Sequence, residues 1–368
     1  MNPNLILSKT FLGKRVGSIS QVGGLRHYRL LGGLADGVEA VDVRTGSGLC
    51  YTVLPGRGMD IAWAEFKGCP VAYMSRTGVV SPSYYDPRGM EWLRGFFAGL
   101  LTTCGLSNVG WPCTDVDKVI GERPYGLHDR ISCTPAENLS LFEDWADDDR
   151  YLMRLRGVMR EATVHGENLT LTREISSVLG ESSVRIEDEV RNIGYDETPL
   201  MILYHINLGY PLLAPDSVLL TMADRVVPGT PEAAEEKGDF DRFIEPCHGY
   251  AERLYHHEFG PEQSGTARVG LVNDRLGCGL TVTFSTEELP QLTEWKVMKE
   301  TEYVLGIEPA NTRAIGRKQA RTEGTLAVLK PGESRRFRLR LDILDGTEAI
   351  ASFRRAVQSD AASAPGTP

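Results

Sequence analysis

Two apolar segments of this sequence each contain one titratable side chain. Residues 203–213, LYHINLGYPLL, contain His205, and residues 303–311, YVLGIEPAN, contain Glu308. A carboxyl group among apolar neighbours has its pKa raised, because desolvation disfavours its charged form. Such a group suits a general base near neutral pH. The second segment therefore predicts proton-transfer chemistry at Glu308, although a glutamate at a strand end that is solvated or paired with an arginine is an equal alternative.

His205 is expected to be buried if its segment is a β-strand. Side chains alternate between the two faces of a strand, so His205 and Asn207 share a face with Met201 and Leu203. The other face carries Ile202, Tyr204, Ile206 and Leu208. A strand that is apolar on both faces is buried on both faces, and buried polar groups need partners. The partner could be a ligand, or His205 could be a core histidine bonded to a main-chain carbonyl.

Three weaker candidates for binding lie elsewhere in the chain. His128 follows a glycine in YGLHDRIS (125–132), which would let its imidazole approach a ligand closely. Arg57 is expected to project from the turn in LPGRGMDI (54–61), although a tight hairpin with no further role is the simpler account of this segment. Trp295 could form a stacking surface for a sugar ring or could be a core residue.

No metal site is predicted. Cys247, His248, His256, His257 and Glu258 are metal-ligand types. Adjacent histidines on a strand point to opposite faces, and their spacing fits no known metal motif. The seven cysteines are scattered without a CxxC pair, which argues against a disulfide framework or a thiolate zinc site.

The composition excludes several classes of partner. The chain of 368 residues has a formal charge of −10 and no basic cluster, so a nucleic-acid partner is not expected. No apolar stretch approaches the ~20 residues of a membrane span, and no signal peptide is recognisable. A soluble protein of the reducing cytoplasm is the simplest interpretation.

Short strands with Gly- and Ser-rich turns dominate the rest of the chain. Residues 169–194 predict a hairpin, and residues 325–344 predict a strand after a turn at Pro331-Gly332. Helices are expected only at 89–101 and 348–358, and loops at 143–150 and 232–241. We predict one all-β sandwich domain over residues 1–350, followed by a partly disordered C-terminal tail at 351–368, with disorder in its last ten residues.

Three of these segments together resemble the aldose 1-epimerase (galactose mutarotase) family. YGLHDRIS, LYHINLGYPLL and GIEPAN are similar, in the same chain order, to the family's NGLHGG-like loop, its HPYFNL-like strand end and its glutamate-bearing late strand. A poorly characterised bacterial branch of the family has segments similar to GRGMDI, GLLTTCGL, LTEWKVMKE and LGIEPAN. The resemblance implies a galactose-mutarotase-type β-supersandwich with few short helices, which binds sugar in a cleft on one sheet.

The resemblance also implies roles for individual residues. His205 corresponds to the general acid, Glu308 to the general base and His128 to a histidine that holds the sugar. Asn207 corresponds to a supporting asparagine, and Arg57 loosely to a sugar-binding arginine. Asp129-Arg130 replaces the two glycines of the family loop. The family's sugar-binding aspartate has only Asp239 and Asp241 as candidates.

The expected function is therefore that of a cofactor-free sugar epimerase that acts at the anomeric carbon. A glutamate and a histidine at the ends of neighbouring strands could take and return the protons that ring opening requires. A non-catalytic sugar-binding protein on the same fold remains an alternative, since fold does not determine function. Epimerisation at another carbon of a sugar or sugar acid is a second alternative.

Overall fold

The chain folds into β-sheets with few helices, as the sequence predicts. The computed structural model describes residues 7–117, 121–146, 149–236, 238–260 and 265–363. In chain order the strands of this part are β1 (Gly24–Arg29), β2 (Glu39–Arg44), β3 (Leu49–Leu54), β4 (Asp60–Phe66), β5 (Cys69–Pro70), β6 (Thr102–Leu106), β7 (Cys113–Asp117), β8 (Gly121–Tyr125), β9 (Glu137–Trp145), β10 (Tyr151–Ala162), β11 (Asn168–Val178), β12 (Ser183–Asn192), β13 (Thr198–Pro199), β14 (Met201–Leu208), β15 (Ser217–Thr221), β16 (Arg225–Pro228), β17 (Arg253–Glu258), β18 (Ala267–Asn273), β19 (Cys278–Phe284), β20 (Gln291–Lys299), β21 (Glu302–Ala310), β22 (Val328–Leu329) and β23 (Ser334–Asp345). The helices are α1 (Lys9–Leu12), α2 (Pro231–Glu235), α3 (Arg317–Thr322) and α4 (Thr347–Ser363).

Three larger antiparallel sheets enclose the core. The 8-stranded sheet has the order β15-β18-β19-β23-β12-β11-β10-β9, the 6-stranded sheet the order β16-β17-β20-β21-β14-β6, and the 5-stranded sheet runs from β1 to β5 in sequence order. One continuous hydrophobic cluster includes residues of all three, for example Val53, Ile175 and Ile206. No helix in the part of the chain that the structure describes is long and apolar enough to cross a membrane.

Strand β14 has the predicted alternation of faces. All of its side chains are buried. Ile202, Tyr204, Ile206 and Leu208 belong to the main core. Met201 and Leu203 belong to a second cluster on the opposite face, which also contains Trp92 and Phe96. His205 and Asn207 therefore lie on the face of the 6-stranded sheet that points away from the main core.

The predicted hairpin and the C-terminal strand are confirmed. In the hairpin, β11 pairs with β12, with Leu169 opposite Asn192. In β23, Phe337, Leu339 and Leu341 are buried while the arginines between them are exposed. The period of two is readable here because one face of the sheet is solvated.

The helix predicted at 89–101 is wrong. This segment contains only a 3-10 turn at Glu91–Arg94 and then continues as a buried irregular loop. Ala98 and Gly99 both have positive φ angles, 63° and 66°, which end any helical run. Two of the predicted loops also differ, because residues 143–145 complete β9 and residues 232–235 belong to α2.

The C-terminal helix is confirmed and is longer than predicted. Helix α4 covers the predicted 348–358 and continues to Ser363, into the segment for which disorder is predicted. Residues 364–368 lie outside the described residues. Ile350 and Phe353 pack against Val272 of β18, so the proposed boundary at residue 350 falls inside a helix that packs on the sheet.

A buried charged network joins the sheets. Arg173 of β11 is fully buried and contacts Asp188 of β12 at 2.6 Å and Asp60 of β4 at 3.0 Å. The hydroxyl of Tyr204 donates to Asp188 at 2.7 Å, and Thr103 of β6 donates to Asp60 from both its backbone N–H and its hydroxyl. The network therefore connects the 8-, 5- and 6-stranded sheets.

We expect Tyr204→Phe to lower the free energy of unfolding by about 1.5–3 kcal/mol, because Asp188 loses a buried, charge-assisted hydrogen bond. Tyr28→Phe is the matched control, since Tyr28 also donates to an aspartate, Asp42, at 2.8 Å but at a half-buried position. Its loss should be below about 1 kcal/mol. Urea unfolding of both variants tests this, and equal losses would contradict the importance assigned to the network.

Candidate active site

The two predicted catalytic residues are in direct contact. Strands β14 and β21 are neighbours, with Asn207 opposite Gly306. Nε2 of His205 lies 3.0 Å from Oε1 of Glu308. Both side chains are buried, with 5% and 4% of their residue surfaces exposed. The arrangement can pass a proton between a carboxyl group and an imidazole.

Gly306 provides the space for this pair. A Cβ atom at position 306 would lie 2.9 Å from Oε1 of Glu308, 3.1 Å from Cβ of Trp295 and 3.2 Å from Cε1 of His205. These contacts are shorter than ordinary van der Waals separations. A glycine is therefore required at position 306 by the close approach of three side chains.

Burial changes the proton affinity of both members of the pair. Desolvation by burial, with a smaller contribution from the charge of Glu252, raises the pKa of Glu308 to about 8. Burial, with a smaller contribution from His128, lowers the pKa of His205 to about 3, whereas Asn207 acts in the opposite direction. At neutral pH the carboxyl group therefore holds most of the proton that the two groups share.

Two polar atoms beside the pair have no partner among the described residues. They are Nδ1 of His205 and Oδ1 of Asn207, and both are buried. The side-chain amide of Asn207 donates to the carbonyl of His205 at 2.9 Å. Buried polar atoms are nearly always hydrogen-bonded in folded proteins, and exceptions concentrate at functional sites. The simple alternative of a core histidine held by a carbonyl does not describe this geometry.

His128 lies next to the pair on a separate loop. Its ring centroid is 6.4 Å from that of His205. The backbone N–H of Gly110 donates to Nδ1 of His128 at 3.3 Å, so the neutral ring carries its proton on Nε2. Burial lowers the pKa of His128 to about 4, which keeps the ring neutral. His128 therefore presents one N–H donor.

Asp129 explains how this loop departs from the glycine-rich pattern. His128 and Asp129 have φ angles of 52° and 51°, in the left-handed region where glycine is usual. Aspartate tolerates this conformation better than most residues. Burial and the neighbouring Glu161 raise the pKa of Asp129 well above its ordinary range. The loop keeps the backbone shape without the glycine.

Aromatic rings enclose the pair on the other sides. The centroid of Trp295 is 5.2 Å and that of Phe96 5.1 Å from the His205 ring, and Trp92 stacks on Phe96 at 4.6 Å. Trp295 is half-buried, as a surface for stacking requires. Phe96 and Trp92 are not among the residues predicted from the sequence, because their segment is expected there to form a helix. Trp92 and Phe96 are four residues apart and are followed by Gly99, and this pattern was the signal for them that the sequence contained.

The expectation that Arg57 projects from its turn is wrong. Arg57 is 1% exposed, and its guanidinium donates to the carbonyls of Ser132 at 2.7 Å, Gly95 at 3.0 Å and Val80. The turn faces the protein interior, where these carbonyls would otherwise lack partners. Gly95 precedes Phe96, so Arg57 holds the segment that carries this aromatic ring. Arg57 is therefore not proposed as a sugar ligand.

The remaining candidates lie away from the pair. His257 contacts Glu294 at 3.0 Å on the core side of β17, whereas His256 lies on the opposite face, 3.4 Å from Thr293. Asp239 and Asp241 form a 3-10 turn that packs through the Asp239 carbonyl on Lys296, on the other face of β20 from Trp295. Within the described ranges, no group of three or more His, Cys, Asp or Glu side chains is placed to hold a metal ion.

We expect Glu308→Gln to change how stability depends on pH. A group whose pKa is raised on folding stabilises the fold at low pH and loses that contribution as pH rises through its folded pKa. His205, with a lowered pKa, acts in the opposite direction but only below its unfolded value near 6.5. Between about pH 6.5 and 8 the wild type should lose ~1–2 kcal/mol relative to Glu308→Gln.

Chemical unfolding across this pH range provides the measurement. Glu258→Gln is the control, because it removes an exposed carboxylate that pairs with Arg225 on the same sheet. Parallel pH profiles for the wild type and Glu308→Gln would show that Glu308 is not a buried group with a raised pKa.

Comparisons with known proteins agree with this fold. A candidate aldose 1-epimerase from Klebsiella pneumoniae superimposes with a TM-score of 0.84 at 22% identity, over 98% of this chain and 96% of that chain. A galactose mutarotase-like protein from Clostridium acetobutylicum gives a TM-score of 0.60 at 12% identity, over 89% and 100% of the two chains. Galactose 1-epimerase from Lactobacillus acidophilus gives 0.56 at 12% identity, over 88% and 100%.

At these identities the likeness concerns the fold, and it confirms the predicted galactose-mutarotase-type architecture. No curated protein matches the chain. Residues 35–343, most of the sequence, match the family described as a domain of unknown function, DUF4432. The chain therefore belongs to the DUF4432 family and has a galactose mutarotase-like fold.

Proposed function

We propose that this protein is a cofactor-free sugar epimerase that interconverts the anomers of an aldose. The observation that carries the proposal is the buried contact of 3.0 Å between His205 and Glu308. A general acid and a general base in one apolar site are what anomer exchange requires. The fold that this chain shares with a candidate aldose 1-epimerase and a galactose 1-epimerase supports the proposal.

Ring opening would proceed by two coupled proton transfers. The Glu308 carboxylate takes the proton of the C1 hydroxyl, the bond between C1 and the ring oxygen breaks, and a C1 carbonyl forms. Protonated His205 gives its Nε2 proton to the ring oxygen. After rotation about the C1–C2 bond, the reverse transfers close the ring on the other face, so protons balance over the cycle.

The pair already holds the proton that this cycle needs. A neutral carboxylic acid with a neutral imidazole has the same proton count as a carboxylate with an imidazolium. Transfer over 3.0 Å between Glu308 and His205 converts one form into the other. A bound sugar between the two groups would act as the carrier of this proton, and its hydroxyls would replace the lost contact.

Neighbouring side chains would orient the sugar. The Nε2–H of His128 is a donor for the ring oxygen, where negative charge develops as the ring opens. Asn207 offers a buried oxygen without a partner to a sugar hydroxyl or to the His205 imidazolium. The half-buried Trp295 offers a flat apolar surface to one face of the ring.

The seven cysteines are all free thiols, which is the state that a reducing compartment maintains. We infer that the protein acts in the cytoplasm on a small sugar. A non-catalytic sugar-binding protein is the principal rival, and the following variants separate the two functions.

Glu308→Gln should abolish most anomer exchange and preserve sugar binding, because the amide keeps the shape of the base but takes no proton. The rate should fall by about 10²–10⁴. In the wild type, the rate should decrease as pH rises through about 8, where the pair loses the proton that Glu308 and His205 share. This alkaline limb should be absent from the variant.

NMR saturation transfer between anomers, over a panel of aldoses, measures the exchange rate, and calorimetry measures binding. If Glu308→Gln weakens binding and leaves the rate unchanged, Glu308 is a sugar ligand and not a base. Sugar binding by a wild type that exchanges no anomers would favour the non-catalytic function.

Gly306→Ala tests the geometry of the pair with the two catalytic residues intact. The added Cβ would lie 2.9 Å from Oε1 of Glu308, so the flexible carboxylate must move away from His205. We expect the catalytic constant to fall at least ~10-fold with a stability loss below about 2 kcal/mol. Gly17→Ala is the control, because a Cβ there meets no atom within 4 Å. Unchanged turnover in a folded Gly306→Ala protein would contradict the assigned geometry.

A further inference from the structure

We propose that Glu252 is a positioning residue of this site, which fixes the indole of Trp295 beside the His205–Glu308 pair and places a negative charge at its open side. The proposal rests on the proposed function for its catalytic consequences, whereas its structural part stands by itself. Glu252 lies in the segment before β17 and is exposed to solvent.

The first observation is a hydrogen bond. The indole Nε1–H of Trp295 donates to Oε2 of Glu252 at 2.9 Å. Leu254 of β17 is opposite Trp295 of β20, so Glu252 reaches Trp295 from the neighbouring strand on the same face. The position of the indole is therefore restricted by Gly306, which packs against the Trp295 Cβ, and by Glu252, which binds the ring nitrogen.

The second observation is that the backbone around Glu252 is anchored on both sides. The hydroxyl of Tyr250 donates to Glu236 at 2.9 Å, and Arg253 forms an ion pair with the same carboxylate at 2.7 Å. Glu236 also accepts the hydroxyl of Tyr255 at 2.6 Å. A carboxylate on such a segment is held in place, unlike that of a mobile surface glutamate, and preorganisation of this kind is what a functional site requires.

The third observation concerns charge. Among the described residues, the titratable groups near the pair include His128 on its loop, Cys104 on β6, His256 on β17 beyond Thr293, and Glu252. Burial keeps the first three neutral, because it lowers the pKa of both histidines and, together with the charge of Glu308, raises the pKa of Cys104. Glu252 is thus the charged group among them, and it contributes to the raised pKa of Glu308.

These observations predict two separable effects. The charge of Glu252 raises the proton affinity of Glu308, so the pair keeps its shared proton to higher pH. The hydrogen bond holds Trp295 at the angle at which it borders the site. Glu252→Gln removes the charge and keeps an acceptor for the indole, whereas Glu252→Ala removes both. Glu258→Gln is the matched control, because Glu258 is at the end of the same strand and its partner is Arg225.

The experiment begins without a sugar. The pKa of Glu308 is measured by ¹³C NMR of labelled glutamate carboxyl groups, and the resonance is assigned with Glu308→Gln. The hydrogen bond of the Trp295 indole N–H is followed by the chemical shift of its proton. Glu252→Gln and Glu252→Ala should both lower the pKa of Glu308 by ~0.5–1 unit, and only Glu252→Ala should move the indole resonance to that of a solvated N–H. Glu258→Gln should change neither quantity.

Anomer exchange then tests the catalytic consequence. In Glu252→Gln the alkaline limb of the pH–rate profile should move to lower pH, so that the variant is slower than the wild type near pH 8. Glu252→Ala should in addition raise KM about 5-fold with a smaller change in kcat.

The outcomes distinguish this inference from the proposed function. If both NMR signals shift as expected but the wild type exchanges no anomers, the proposed function fails and the structural role of Glu252 stands. If exchange is present but the NMR signals and pH profile of the Glu252 variants match those of Glu258→Gln, Glu252 is an ordinary surface carboxylate and the inference is overturned.

Discussion

The fully buried guanidinium of Arg173, held between Asp188 and Asp60, is the constraint on which the rest of the structure depends. A buried ion has a large desolvation cost, so it is tolerated only where its partners are fixed in place. Tyr204 completes the network on the core side of β14. A slip of one residue in β14 would bring His205 to the core and remove Tyr204 from it. The network that satisfies Arg173 thus also determines which face of β14 carries His205.

Burial determines the chemistry of the site as well as its shape. Aromatic rings and apolar strands exclude water from His205 and Glu308, and the same desolvation raises one pKa and lowers the other. In such an environment, two neutral groups that share one proton have a lower free energy than a carboxylate beside an imidazolium. The site therefore keeps a carboxyl group and an imidazole together without permanent charge, and the charge of the exposed Glu252 acts on it from outside.

Local rules predicted a large part of the site. The alternation in β14 was readable because a short run that is apolar on both faces fits a strand that is buried on both faces. The segment 89–101 misled these rules. It contains enough apolar residues for a helix, but Ala98 and Gly99 adopt left-handed backbone conformations that only tertiary contacts impose. Propensity gives way to tertiary packing at such positions.

The amino-acid sequence by itself determined the sheet-rich fold, the faces of the site strand, and the presence of one carboxyl group and one imidazole on buried strands, because these depend on a period of two and on composition. Only the tertiary structure decided that His205 and Glu308 touch, that Arg57 points inward to three carbonyls, and that Phe96 and Glu252 border the pair. These contacts join residues far apart in the chain. Their partners are set by strand register and by the unpaired backbone groups that each loop must satisfy, and neither is encoded in local spacing.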